Sequence, residues 1–189
     1  VNERGMTLLE VVVALCLFGL LASGMVGLFL SGQVATASNS RRQEALCLAR
    51  ALMEAVKASP AEWEGRVQRA GSNYVVLEKS KADDQDGAYQ DFYLAIVEGA
   101  GQGQVRKITG YVGSSRTAYV VPSWSSIPGT SSRYLVFRLV SDLPDPTRVV
   151  VTIGPSSQTA LEEVKIVVKD STPWGEREVQ LTCERWKGT

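Results

Sequence analysis

Glu10 is the residue whose surroundings say most about chemistry. From residue 11 to residue 30 no side chain is charged, so one carboxylate stands at the head of a twenty-residue apolar run. An ionised carboxylate in hydrocarbon is costly and calls for a partner. The rest of the chain offers few groups for catalysis. There is no His, which removes the usual general base of Ser and Cys nucleophiles and the commonest metal ligand. Asp83, Asp84 and Asp86 precede Gly87, and hard cations use such oxygen clusters. The EF-hand spacing fails, however, because Ala82 stands where the first Asp belongs and no Glu closes the loop. A solvated turn is the expectation, with no metal site and no cofactor. Gly99-Ala100-Gly101-Gln102-Gly103 lacks the Gly-Lys-Ser/Thr ending of a phosphate loop and does not open a helix, so it reads as a hairpin turn.

Three cysteines are too few for a disulfide-built scaffold. Cys16 lies within the apolar run, where it acts as a small apolar residue. Helical spacing puts Cys47 on the polar side of its segment, whereas Cys183 alternates with Val179 and Leu181 toward a core; that geometry does not favour a bridge. Aromatic side chains in a β-rich region mostly fill its core. Trp124, flanked by Ser123, Ser125 and Ser126 in a loop-like stretch, is the candidate for a binding loop. Twenty basic residues balance twenty acidic ones, which argues against a general nucleic-acid surface.

The elements that must position these groups follow from periodicity. Twenty apolar residues at about 1.5 Å each span about 30 Å, the thickness of a bilayer core. Gly19, Ser23, Gly27 and Ser31 recur every fourth residue, a small-residue row that lets helices approach closely in lipid. After a polar stretch at 31–40, Ala45, Leu48, Ala49, Leu52, Ala55 and Val56 form an apolar helical face, and Pro60 ends it. A continuous helix over 6–59 is apolar all round in its first half and amphipathic in its second. Beyond it, β-branched and aromatic runs predict strands at 74–77, 92–97, 105–112, 117–121, 134–140, 149–153, 164–168 and 178–183. The last two read as an antiparallel hairpin about 170–175. The fold class is therefore α+β, a long N-terminal helix on an antiparallel sheet, in a chain whose length suits one spanning helix plus one modest domain.

Gly5-Met6-Thr7-Leu8-Leu9-Glu10 followed by the apolar run resembles the N-terminus of type IV prepilins and pseudopilins. The resemblance implies cleavage by prepilin peptidase between Gly5 and Met6, methylation of the new amine, and Glu10 neutralising the amine of a neighbouring subunit during filament assembly. It also implies a leader at 1–5, a transmembrane and filament-core helix at 6–30, an amphipathic half at 31–59 and an extracytoplasmic β-rich domain at 60–189. Met6 stands where the family most often has Phe. The stretch Ala45-Leu46-Cys47-Leu48-Ala49-Arg50-Ala51-Leu52-Met53-Glu54, with the late strand pair ending Val179-Gln180-Leu181-Thr182, looks like minor pilins and the I-type minor pseudopilins of type II secretion. Those families keep a shorter sheet between the two features; residues 99–136 are similar to a β-rich motif of phage and bacterial surface proteins.

The implied protein is a non-enzymatic subunit of a type IV filament serving pilus assembly, adhesion, motility, DNA uptake or secretion. Its partners are prepilin peptidase, other pilins or pseudopilins, and the inner membrane. It is single-pass with a cytoplasmic N-terminus, although Arg41 and Arg42 beyond the span against Arg4 before it run counter to the positive-inside bias. A membrane-anchored binding module that never polymerises is the rival from another class, and it leaves Glu10 unexplained. A cleaved secretory signal needs an apolar core of only about 7–15 residues without a charge. A secreted hydrolase behind such a signal lacks both His and a nucleophile motif.

Overall fold

The computed structural model describes residues 8–140, 142–158, 160–172 and 175–186. The chain divides into two units, Val1–Glu44 and Ala45–Thr189, and the helix α1 (Leu8–Ala58) supplies residues to each. In the first unit no described residue is buried. An 18-residue window of α1 reaches a mean hydropathy of 2.5, long and apolar enough to cross a membrane.

In the second unit α1 is amphipathic. Ala45, Ala49, Leu52, Met53 and Val56 are buried, with Leu48 and Ala55 packed beside them. This is the face the heptad-like spacing predicts, joined by Met53. The helix stops where Pro60 follows: Pro disfavours the helical conformation in the residue before it. The Ser59 hydroxyl donates to the Ala55 carbonyl at 2.8 Å, and Lys57 lies in the last turn, where a cation suits the helix dipole.

Among the described residues ten strands follow: β1 (Glu64–Arg66), β2 (Arg69–Ala70), β3 (Tyr74–Val76), β4 (Tyr93–Glu98), β5 (Gly103–Val112), β6 (Thr117–Val121), β7 (Arg133–Phe137), β8 (Val149–Pro155), β9 (Leu161–Thr172) and β10 (Gly175–Trp186). Their order is β1-β7-β4-β5-β6-β3-β2, and from β5 the sheet continues through β8, β9 and β10. Every pairing is antiparallel. The branch is made by β5, whose first residues pair Gly103 with Val151 and Gln104 with Val150, while Val105 to Lys107 pair with β4. Gly103 has φ +90°, and a Cβ there would meet Val150 Cγ1 at 2.8 Å, so only glycine fits. Gly99 and Gly101, at φ +87° and +79°, complete the hairpin turn expected of this segment.

The sheet separates two cores. Tyr93, Ala95 and Val97 of β4 face α1 together with Leu135, Phe137, Val151 and Ile166. Leu94 and Ile96 face the other way, onto Val75, Tyr89, Ile108, Trp124 and Tyr134. Five consecutive buried residues in β4 are thus the mark of a strand covered on both faces. The α+β class holds, with a long helix packed on an antiparallel sheet.

Two readings of the elements need correction. The strand placed at 134–140 ends at Phe137, and Val140 is fully exposed, so its β-branched side chain extends a pattern that the pairing does not. β1 and β2, of three and two residues, were not anticipated, since so short a run has no readable alternation. Residues 99–136, similar in sequence to a β-rich surface-protein motif, supply β5 and β6 to the common sheet. The expected hairpin is present and longer than its apolar core: β9 and β10 pair from Leu161↔Trp186 to Thr172↔Gly175.

Candidate functional site

The residues singled out for processing and assembly lie at the start of the chain. Gly5 and Met6 fall outside the described residues. Glu10 is in the first described turn of α1 and exposed, an acidic group near a helix N-terminus, where the dipole favours it. It heads a surface of exposed Leu15, Phe18, Leu21, Met25, Leu28 and Phe29, each more than half accessible. Large exposed apolar surfaces mark membrane or protein contact.

Gly19, Ser23, Gly27 and Ser31 lie along one side of this helix, and the structure leaves that side open. A Cβ at Gly19, Gly24, Gly27 or Gly32 would meet nothing within 4 Å. The hydroxyls turn inward onto their own helix: Ser23 donates to the Leu20 carbonyl at 2.8 Å and Ser31 to Gly27 at 2.9 Å. Thr36 does the same to Gly32 at 2.9 Å. Their polar atoms are thereby satisfied without water, as an apolar surrounding demands, and the row presents little bulk to a neighbouring helix.

Trp124 does not present a binding surface. It is 6% exposed within the second core, its amide donates to the Ser72 carbonyl at 2.8 Å, and the Arg106 guanidinium stands 5.4 Å over its ring. Two of the three serines that made the segment look like an open loop, Ser123 and Ser125, are acceptors for Arg106. That side chain is 2% exposed and donates to the Ser123 carbonyl at 3.1 Å, Ser125 Oγ at 3.1 Å, Gln104 Oε1 at 2.9 Å and the Val105 carbonyl at 2.8 Å. Burial pushes its pKa down while Asp145 pulls it up. Arg106 therefore ties the 123–125 segment to β5, and Trp124 fills the core.

The acidic run is a structural turn. Asp83 accepts from the Gln85 amide at 2.9 Å and Asp86 from the Gly113 amide at 2.8 Å. Among the described residues no group of three or more His, Cys, Asp or Glu is arranged to hold a metal. Cys47 is exposed, and Cys183 packs beside the first core with its Sγ 2.9 Å from Met53 Sδ. Tyr89, Tyr93, Tyr111 and Tyr134 are buried; burial pushes the Tyr111 phenol up to about 12.

Local patterns gave no sign of one cluster. Arg133 of β7 grips Glu162 of β9 with two nitrogens, at 3.1 and 2.9 Å, and Glu64 of β1 at 2.7 Å. Arg185 of β10 closes the square onto Glu64 and, at 3.3 Å, onto Glu162. Charges alternate around it, and Arg133 holds the Glu162 carboxyl below its usual range against the opposing effect of burial. The square joins four strands and is structural. Its members are up to 121 residues apart, so only the folded register reveals it.

Comparison with known proteins agrees with the exposed helix. Residues 1–26 match the prokaryotic N-terminal methylation motif, a signature typical of type IV prepilin-like proteins. No curated protein and no solved structure shows significant similarity to the chain.

Proposed function

From a chain that is type IV prepilin-like at its N-terminus, we infer a minor pilin or pseudopilin subunit: a non-enzymatic building block carried into a filament by α1. The observation that carries this reading is Glu10 at the head of a twenty-residue uncharged run whose helix is exposed on all sides. A plain anchor needs the apolar run and not the carboxylate. Prepilin peptidase cuts between Gly5 and Met6, the N-terminus is cytoplasmic before the cut, and the β-rich unit lies outside the cytoplasm. In the assembled filament the new amine of one subunit meets Glu10 of the next, and the small-residue row admits neighbouring helices.

Mass spectrometry of the mature N-terminus tests the first step. A methylated Met6 is expected, whereas an uncleaved chain identifies a static anchor, and a start at Ser38, after the small-x-small run Ala35-Thr36-Ala37, a secreted protein. Gly5 replaced by a bulky residue leaves the leader attached and the protein in the membrane but unassembled; normal maturation of that variant refutes the cleavage assignment. Glu10→Ala is processed normally yet enters filaments poorly, because it leaves an amine uncompensated in an apolar surrounding. Wild-type incorporation of both Glu10→Ala and Glu10→Gln, measured by immunoblot of sheared filaments, removes the pairing role.

A further inference from the structure

Among the described residues β10 pairs with β9 alone, in antiparallel register from Gly175 to Trp186 without a shift. Its other edge offers main-chain donors and acceptors to a further strand. The other strands with a single partner, β1 and β2, have three and two residues, and edges so short give a neighbour little to pair with. β10 has twelve residues. It contains no proline, and its middle, Val179-Gln180-Leu181-Thr182-Cys183, carries no charge. The devices that blunt an edge are therefore missing there.

The apolar layer under α1 also stops short at this edge. On β9, Val164, Ile166 and Val168 are at most 4% exposed, and they stand in register with Cys183, Leu181 and Val179. Those three are only partly buried, although they pack against the first core. α1 runs beside them: Met53 touches Cys183, and one turn on, Lys57 lines a cleft with Arg185 and Trp186. The cleft has a volume of about 430 Å³ and lies between the end of α1, Glu64 and the end of β10. Arg185 is held by Glu64 and Glu162, whereas Lys57 is exposed and makes no hydrogen bond or ion pair among the described residues. Trp186 is 77% exposed. A free strand edge that supplies main-chain bonding, with a cleft beside it that takes a side chain, is the arrangement of recognition by strand addition.

β9 shows which kind of strand β10 accepts. It sets Lys169 against Glu178 at 3.7 Å and an apolar residue opposite each of Val179, Leu181 and Cys183. A second copy of β10 fits less well. In-phase pairing would set the outward row Glu178, Gln180, Thr182, Glu184 and Trp186 against itself, and that row has carboxylates but no cation. A strand that alternates apolar and polar residues, with basic residues opposite Glu178 and Glu184 and an acidic one opposite Arg185 at Lys57, satisfies both rows.

We propose that the free edge of β10 docks an extended segment of another protein, added as an antiparallel strand with its apolar side toward α1 and a carboxylate side chain in the cleft at Lys57. The site stands apart from N-terminal cleavage and helix assembly, so its test is independent of them. Fluorescence anisotropy of the full chain in detergent is measured with the labelled nonapeptide Ser-Glu-Lys-Val-Thr-Ile-Thr-Val-Lys, its scrambled form reporting uptake by micelles. Saturable binding is expected for the ordered peptide alone, and hydrogen exchange then slows at 178–186. Methylating the amides of one alternate set of peptide residues abolishes binding while methylating the other set leaves it, because only one set faces β10. Lys57→Glu weakens the peptide about fivefold, and a peptide with Lys in place of its Glu recovers the loss; Lys57 is exposed, so the fold is kept. Absence of binding, equal tolerance of both methylated sets, unchanged exchange at 178–186, or a Lys57→Glu protein that binds both peptides as the parent does overturns the proposal. So does protection of 178–186 by self-association of the chain, which would make a second copy the occupant.

Discussion

Glu162 is a buried carboxylate shared by two arginines. It is 6% exposed and holds Arg133 and Arg185 at once. Removing one partner of a buried ion pair leaves a charge without compensation and typically costs about 3–5 kcal/mol. Glu162→Gln keeps a polar group for the arginines, and Glu64 still faces both, so a loss of about 2–3 kcal/mol is expected in urea melts. The pH dependence has a definite sign. Arg133 and Arg185 hold the carboxyl below the usual glutamate range against the opposing effect of burial, so its stabilisation is present above the unfolded-state value and is lost as pH falls through the depressed folded-state value. Wild type therefore loses stability on acidification in that window, and Glu162→Gln loses less. Parallel acid limbs for the two proteins would show that the square contributes nothing to acid sensitivity. Little of this was legible beforehand, because the four residues belong to four strands and no local spacing joins them. Trp124 was misread for a related reason: serines on both sides signal a loop, but they serve as acceptors for a buried Arg106 that the sequence gives no cause to expect inside.

Periodicity makes a strong statement at the scale of the helix. Ala45, Leu48, Ala49, Leu52, Ala55 and Val56 can be read as one face because 3.6-residue spacing leaves few alternatives, and that face meets the sheet in the first core. The same holds for β9 and β10, whose alternating valines and leucines specify both strands and their pairing. It fails for β1 and β2, which are too short to alternate; β4, where burial on both faces erases alternation, is legible at 92–97 only through its β-branched and aromatic run. Leu52 is fully buried and Gln43, one face round, is exposed. Leu52→Asp places an unpaired charge in the core and unfolds the second unit or costs it more than about 4 kcal/mol, whereas Gln43→Asp stays within about 0.5 kcal/mol of the parent. Circular dichroism melts of the two variants decide the matter. A Leu52→Asp protein as stable as its parent would mean that α1 does not pack on the sheet, and the pilin-like architecture would fall with it.

The whole molecule separates its two tasks. All described buried residues lie from Ala45 onward, while no described residue before it is buried; folding and membrane insertion thus draw on different stretches of one helix. That division was readable from the sequence as the change from an all-apolar to an amphipathic pattern, since each environment imposes its own hydrophobic distribution. Branching of the sheet at β5 was not, because it depends on Gly103 admitting Val150 rather than on any periodic signal. A fragment over 39–189 keeps every described core residue and discards the apolar span. It should be soluble and monomeric by sedimentation without detergent, show mixed helix and strand by circular dichroism, and melt cooperatively within about 4 °C of the full chain in detergent, a shift that corresponds to no more than about 1 kcal/mol for a unit of this size. Residues 39–44 would fray at no cost, as none of them is buried. A fragment that is compact but lacks near-ultraviolet dichroism, or that aggregates with its helix intact, would show that the second unit's core is incomplete alone and that the apolar stretch before it contributes to folding.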